Sequence, residues 1–332
     1  MLKAQKLVCV ALAGMLVVAF WLTSCAPQQP IQQYTIRIGT LNTPDSLPCF
    51  VIQDRGLDKK YGLHLVETTF AGGAAIIEAL AADKLDVGVS VGTPPILSAA
   101  ERSMIPGKIV PAAAIDFADP EHPMIGVLVS PSISTWKDLS GKQVGVNALV
   151  GLNAVGIKGR LQIEGVTDYK MVEIPFANMG LALAGGNIDA ATLTEPYLTQ
   201  SLQRKDGKFL GWIVGGPPLE NIEYTAIVFS ANYYRDNPQT VKAFLRAHLE
   251  AANWIEQNPD DARSILGKKL GLTPAVMQKI GLPRFSLDGH NDPALLENMQ
   301  QTMVSVGMLK ALIAASQLYD ETLLDEALKE KR

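Results

Sequence analysis

The chain has 332 residues, 48% of them hydrophobic, and a formal net charge of −4 at pH 7. A nucleic-acid-binding protein needs a basic face, so this charge argues against a nucleic-acid partner. Roughly 300 residues remain after the N-terminal segment described next, and a chain of that length buries a large core and tends to form two domains.

The N-terminus predicts export from the cytoplasm. Two lysines precede an apolar run over residues 7–22, which is shorter than the about 20 residues of a membrane-spanning helix. The run ends in Leu-Thr-Ser-Cys, which resembles the bacterial lipobox and implies a signal peptide over residues 1–24 and a lipid on Cys25. An uncleaved anchor helix is the alternative. Residues 25–33, rich in Pro and Gln, are then a tether.

The cysteines fit this processing. Cys9 leaves with the signal and Cys25 takes the lipid, so Cys49 stays alone. The mature chain is therefore expected to form no intramolecular disulfide, and its stability has to come from its core.

The mature chain alternates predicted strands and helices. Period-two alternation predicts strands at residues 34–41, 63–69, 85–91 and 108–114. Helices are expected at residues 48–61, where Gly62 fits a C-cap, at residues 72–82, and from Pro94 onward. This order predicts a mostly parallel sheet with helices on both faces.

A second set of the same kind follows. Its predicted strands are residues 142–147, 171–174 and 188–193, and its predicted helices are residues 153–164, 177–184 and 196–203. Two apolar runs, 124–130 and 223–230, flank this set and are predicted to be the hinge strands. Lobe I then comprises residues 34–123 and 231–332, and lobe II residues 131–222. Helices predicted at residues 241–257, 260–270, 274–280 and 293–306 are expected to pack on lobe I.

Sequence signatures of catalysis are missing. No phosphate-binding glycine loop, dinucleotide fingerprint, His-Glu-x-x-His or Cys-x-x-Cys pattern occurs, and the four histidines are far apart. The sequence therefore predicts no cofactor, no metal site and no enzymatic activity.

Four segments carry a family resemblance: residues 39–63 with Gly39-Thr-Leu-Asn-Thr-Pro and Tyr61-Gly-Leu63, residues 71–95 ending in Gly92-Thr-Pro-Pro95, residues 136–146 with Trp136-Lys-Asp-Leu-Ser-Gly-Lys142, and residues 185–197 ending in Thr194-Glu-Pro-Tyr197. In this order and spacing they resemble the nitrate/sulfonate/taurine and thiamine-precursor family of ABC-transporter substrate-binding proteins.

The resemblance implies the α/β, type II periplasmic-binding-protein fold, in which two βαβ lobes are joined by a two-strand hinge. It also implies a monomer that traps a small molecule between its lobes and delivers it to an ABC permease with a cytoplasmic ATPase. Anchoring through Cys25 would place the chain on the extracytoplasmic or periplasmic side of the membrane.

Ligands of such sheets bind beyond the carboxyl ends of the strands, which selects the candidate ligand-binding residues. Some of them have structural alternatives as turn glycines, helix caps or a charge at a helix N-terminus. The candidates are Asn42, Asp45, Ser46, Gly72, Gly73, Ala74, Ser90, Thr93, Asp116, Asn147, Asn153, Glu195 and Tyr197.

The charge of these loops bears on the ligand class. They contain Asp45, Asp116 and Glu195 but no Lys or Arg, and Arg is the usual group for bidentate recognition of anions. A vitamin or a pyrimidine- or flavin-type precursor is therefore slightly favoured over an alkanesulfonate, taurine or a similar organic anion. Two further alternatives are an enzyme on the same fold, of the pyrimidine-precursor synthase or chorismate-dehydratase type, and a sensor module.

Overall fold

A computed structural model of the chain describes residues 34–330. The predicted signal peptide, Cys25 and the tether lie outside the described residues. None of the helices within residues 34–330 has the length and hydrophobicity that crossing a membrane requires.

The described residues form eleven strands and fourteen helices. The strands are β1 (Tyr34–Thr40), β2 (Leu63–Thr69), β3 (Val87–Gly92), β4 (Ile109–Ala118), β5 (Ile125–Val129), β6 (Gln143–Val146), β7 (Lys170–Glu173), β8 (Ala190–Thr194), β9 (Lys208–Val214), β10 (Ile222–Ser230) and β11 (Arg284–Phe285). The helices are α1 (Leu47–Asp54), α2 (Leu57–Lys60), α3 (Gly73–Ala81), α4 (Thr93–Glu101), α5 (Leu152–Ile163), α6 (Phe176–Ala184), α7 (Tyr197–Arg204), α8 (Ala231–Asp236), α9 (Pro238–Gln257), α10 (Pro259–Leu270), α11 (Pro274–Met277), α12 (Pro293–Ser305), α13 (Ala315–Leu318) and α14 (Thr322–Lys329).

The strands form two sheets, in the orders β11-β4-β10-β3-β1-β2 and β7-β6-β8-β5-β9. Strands β1, β2 and β3 pair in parallel, and so do β6, β7 and β8. Strands β10 and β5 run antiparallel to their neighbours, so both sheets are mixed. Four strands of each sheet share one direction, β1–β4 in the first sheet and β6–β9 in the second, and the two runs that flank the second set enter the sheets as the antiparallel strands β5 and β10.

The chain passes between the sheets twice, through residues 119–124 and residues 215–221. The runs predicted as hinge strands, 124–130 and 223–230, form β5 inside one sheet and β10 inside the other. The two crossings pack side by side: Gly215 has a φ of +77°, and a Cβ there would lie 2.3 Å from Cα of Pro123. Only glycine fits this backbone and this contact.

The helix predicted over residues 48–61 is interrupted. Gly56 has a φ of +69°, which ends α1 and starts α2. Five elements escaped prediction: the strands β9 and β11 and the helices α8, α13 and α14.

The C-terminal helices cover the first sheet, as expected, with one exception. Helices α9 and α10 pack on α1, and α14 packs on α9. Helix α12 contacts β10 and α4 of the first half, which is built on the first sheet, and also α5 of the second half, which is built on the second sheet. In the second contact, Nε2 of Gln162 donates to the carbonyl of Ser305 at 3.1 Å. Cys49 lies buried in the core on α1, without a disulfide partner.

Candidate functional site

A cavity of about 40 Å³ lies between the strand ends of the two sheets. This volume holds only a few water molecules, whereas ligand pockets usually measure about 300 Å³ or more, so the cleft is nearly shut in this structure. Its lining comes from both halves: Leu41, Thr43, Asp45, Gly73, Ser90, Gly92, Pro95, Asn147, Ala148, Val150, Gly151, Leu152, Asn153, Phe176, Thr194, Tyr224 and Thr225.

Two buried carboxyl groups lie at or next to this cavity. Asp45 lines it with an exposed fraction of 3%, and Asp116, which does not line it, is hydrogen-bonded to the lining residue Thr225 and has an exposed fraction of 0%. Oδ1 of Asp116 accepts hydrogen bonds from N (3.1 Å) and Oγ1 (2.6 Å) of Thr225. Burial raises the pKa of Asp45. Burial also raises the pKa of Asp116 well above its ordinary value, and the Asp45 charge raises it further.

Among the described residues, four oxygens at or next to the cavity have no hydrogen-bond partner. They are Oγ1 of Thr43, Oδ1 of Asp45, Oδ2 of Asp116 and Oδ1 of Asn147. Leaving a buried polar atom unpaired costs about 1–3 kcal/mol, and more for a charged group. Folded proteins rarely retain such atoms without a reason, so this cluster marks the place where a bound molecule would supply hydrogen-bond donors.

Two helix N-termini face the same cavity. Helix α3 starts at Gly73 after Gly72, and α5 starts at Leu152 after Gly151, and neither N-cap residue makes a side-chain cap. The first N–H groups of a helix lack partners inside the helix and favour a negative charge. Helix α4 also starts here, but prolines at its second and third positions remove two of these donors.

Ser90 lines the cavity and has a strained backbone conformation. It has a φ of +62°, which is uncommon for a residue other than glycine, and its Oγ lies 2.6 Å from Oγ of Ser46. Oγ of Ser46 in turn accepts from N of Leu41 at 3.0 Å. These contacts tie the loop after β1 to the end of β3, so Ser46 and Ser90 position Asp45.

Two of the predicted ligand-binding residues use side-chain donors in hydrogen bonds within the protein. Oγ1 of Thr93 donates to the carbonyl of Glu223 at 3.2 Å. Nδ2 of Asn153 donates to the carbonyl of Thr192 at 2.9 Å, although Asn153 still lines the cavity. Ala74, in the first turn of α3, is half-buried and does not line the cavity.

Tyr197 and Asn42 line a separate cavity of about 180 Å³ at the mouth of the cleft. The ring of Tyr197 stacks on Phe176, with ring centroids 5.5 Å apart and planes 16° apart. Because Phe176 lines both cavities, this stack forms a wall that the two share.

Glu195 lies in a third and larger cavity, of about 920 Å³, between α7 and β9 on one side and α9, α10 and residues 279–285 on the other. Its carboxylate accepts from Oγ1 (2.8 Å) and N (3.2 Å) of Thr199. Burial raises the pKa of Glu195, and hydrogen bonds from Thr199 and the backbone of Gly281 oppose that rise. Size alone would favour this cavity as a ligand site, but the unpaired oxygens and helix N-termini lie at the small one.

Sequence reasoning missed four polar residues of the small cavity: Thr43, Thr194, Tyr224 and Thr225. The hydroxyl of Tyr224 lies 3.3 Å from Oγ1 of Thr194, which joins the two sheets at the cavity floor. Tyr224 and Thr225 lie in a run interpreted as a hinge strand. The signal that could have found them was the position of that run beside two strand ends.

The described residues that line the small cavity are uncharged except for Asp45. Among residues 34–330, the cavity is lined by no Lys, Arg, His or Cys. The described residues also contain no group of three His, Cys, Asp or Glu placed to hold a metal ion.

Known proteins with similar sequences and structures are binding proteins for the most part. A Bacillus subtilis protein named for aliphatic sulfonates is 23% identical over 310 residues, covering 89% of this chain and 88% of that protein. The taurine-binding periplasmic protein of Escherichia coli is 26% identical over 223 residues, covering 62% of each chain. The solved alkanesulfonate-binding protein from Xanthomonas axonopodis pv. citri, bound to MOPS, is 19% identical with a TM-score of 0.69, covering 88% of this chain and 97% of that one.

The structural match confirms the predicted two-lobed α/β fold of periplasmic binding proteins. The family model described as NMT1/THI5 like matches residues 43–262, which is well over half of the chain and includes most of the small cavity's lining. The chain belongs to the NMT1/THI5-like family.

Proposed function

We propose that the chain is an extracytoplasmic solute-binding protein of an ABC importer, and that it captures a small organic molecule in the small cavity between its two sheets. The observation that carries this proposal is the cluster of buried, unpaired oxygens at that cavity. Its position at the carboxyl ends of strands from both sheets is where ligands bind in open α/β folds.

The proposal includes movement of two lobes. Leu152 of one half lies within 2.9 Å of the position that a Cβ on Gly92 of the other half would take, so the halves touch across the cavity. A ligand larger than a few waters enters only when they part. We assign the hinge to the crossings at residues 119–124 and 215–221, in place of the runs 124–130 and 223–230 predicted from the sequence, because those runs form strands inside the two sheets.

The ligand is a small organic molecule, and the relatives favour one class of it. Similar proteins are named for aliphatic sulfonates and taurine. This supports the organic-anion alternative over the vitamin-type precursor that the sequence slightly favoured. Two uncapped helix N-termini at the cavity can hold an anionic group without Arg or Lys.

A desulfurization enzyme shares the fold, with a TM-score of 0.64 and 20% identity, and covers 90% of this chain. Binding is proposed for the present chain because the relatives with similar sequences are named as binding proteins.

The proposal about localisation rests on the sequence of residues 1–33. The lipobox-like ending at Cys25 supports a lipid-anchored monomer on the outer side of a membrane, where it would meet its permease. Expression of the full chain in a bacterium with [³H]palmitate should label the wild type and leave the Cys25→Ala variant unlabelled. Equal labelling of both would contradict the anchor.

The binding proposal is tested by thermal unfolding of a chain that starts at Ala26, since residues 34–332 form one compact unit. The panel contains taurine, alkanesulfonates, nitrate, thiamine, riboflavin, pyrimidine precursors and polyamines. A true ligand at about 100 times its Kd adds about 2.7 kcal/mol to the free energy of unfolding. If the chain chemically converted a compound that stabilises it, the proposed binding function would have to be replaced by a catalytic one.

A further inference from the structure

We infer that the ligand of the small cavity is a zwitterion, whose ammonium or other cationic N–H group binds Asp45 and Asp116 and whose anionic group faces the N-termini of α3 and α5. This inference rests on the proposed function, and it names the chemical class and orientation of the molecule.

The cationic end follows from the unpaired oxygens. Oδ1 of Asp45 and Oδ2 of Asp116 are acceptors when their carboxyl groups are ionised, and both are shielded from water. No Lys or Arg of residues 34–330 lines the cavity to supply donors. A protonated amine carries N–H donors and the positive charge that two carboxylates require.

The charges favour the same group. Two carboxyl groups buried next to each other repel when both are ionised, and the burial of each raises its pKa further. A cation between them removes the repulsion and stabilises both ionised forms. A plain sulfonate or nitrate would instead add a third negative charge to this floor.

The anionic end follows from the helix N-termini at the cavity. Gly73 and Gly151 lie at the uncapped N-termini of α3 and α5, one from each half of the protein. The two termini approach each other at Asn147: a Cβ on Gly72 would lie 3.3 Å from its Nδ2, and a Cβ on Gly151 would lie 3.9 Å from its Oδ1. An anion placed here draws on both helices only when the halves are together, which couples binding to closure.

Matched ligand pairs test the inference by isothermal titration calorimetry on the chain from Ala26. The amines are taurine, β-alanine and γ-aminobutyrate, and their hydroxyl counterparts are isethionate, 3-hydroxypropionate and 4-hydroxybutyrate. We expect at least one amine to bind about thirtyfold or more tightly than its hydroxyl counterpart, because removing one partner of a buried charge pair costs that much. Equal binding within every pair would overturn the zwitterion and leave the solute-binding function intact. Binding of none of the six would overturn the inference, and absence of any stabilising compound in the wider panel would overturn both proposals.

Two variants locate the cationic end. Asp45→Asn and Asp116→Asn should each remove the preference for the amine, while Asp261→Asn, an exposed change of equal charge on α10, should keep it. The unliganded Asp45→Asn and Asp116→Asn variants should unfold at the same or a higher temperature than the wild type, since each loses a buried carboxyl group. Retention of the amine preference in both variants would contradict the assignment of these residues.

Discussion

At the scale of single residues, His248 is a buried base that the binding function does not use. It lies on α9 with an exposed fraction of 1%, and neither ring nitrogen has a hydrogen-bond partner. Burial lowers its pKa to about 3. Below pH 6.5 the unfolded chain binds a proton at this histidine and the folded chain does not, so the folded state loses stability as the pH falls toward 3.

We therefore expect His248→Leu to stabilise the protein more in acid than at neutral pH. Relative to wild type, the gain in the free energy of unfolding should be about 2 kcal/mol larger at pH 5 than at pH 7.5, since each pH unit is worth about 1.4 kcal/mol. Urea unfolding at the two pH values measures this difference. An unchanged pH dependence in the variant would show that another group causes it.

At the scale of elements, the N-terminus of α3 lies next to the opposite half of the protein. Gly72 has an extended backbone, with a φ of −178°, which any residue adopts. A side chain there would meet Asn147 across the cleft and no other residue within 4 Å. A substitution at this position thus acts on the approach of the two halves and leaves the packing of either half alone.

Gly72→Val is expected to lower ligand affinity about tenfold while the unliganded protein keeps its stability, because wedging a side chain into a packed contact costs about 1–3 kcal/mol. Calorimetric titration with the compound that stabilises the wild type measures the affinity. Gly107→Val is the matched control, since a Cβ at Gly107 has open space around it. Similar affinity losses in both variants would rule out a contact across the cleft.

The elements also show which features of the structure could be predicted from this sequence and which could not. Strand β2 covers residues 63–69 as predicted, because its alternation is regular and one face is exposed. The loops after the strands were predicted to hold the polar ligand-binding residues, but Glu195 and Tyr197 line other cavities than Asp45 does. Which side of α7 each faces depends on how the two sheets meet, and no local pattern encodes that.

At the scale of the whole molecule, the two halves are joined by two crossings and by α12, which contacts both. Binding should therefore appear as one concerted closing movement. Fluorescent labels at Glu78→Cys on α3 and Leu181→Cys on α6, both exposed positions on different halves, should move closer when the stabilising compound is added. Labels at Glu78→Cys and Asp261→Cys, on the same half, should keep their distance. An unchanged distance in the first pair would contradict closure on binding.

Cys49 has a consequence for the environment in which the protein can work. Its thiol is buried, and burial raises its pKa, so the reactive thiolate is scarce in the folded protein. After processing at Cys25 the chain would hold no second free thiol to pair with. Folding then requires neither an oxidant nor a disulfide isomerase, and the same native state is expected in oxygen-rich and in strictly anaerobic surroundings.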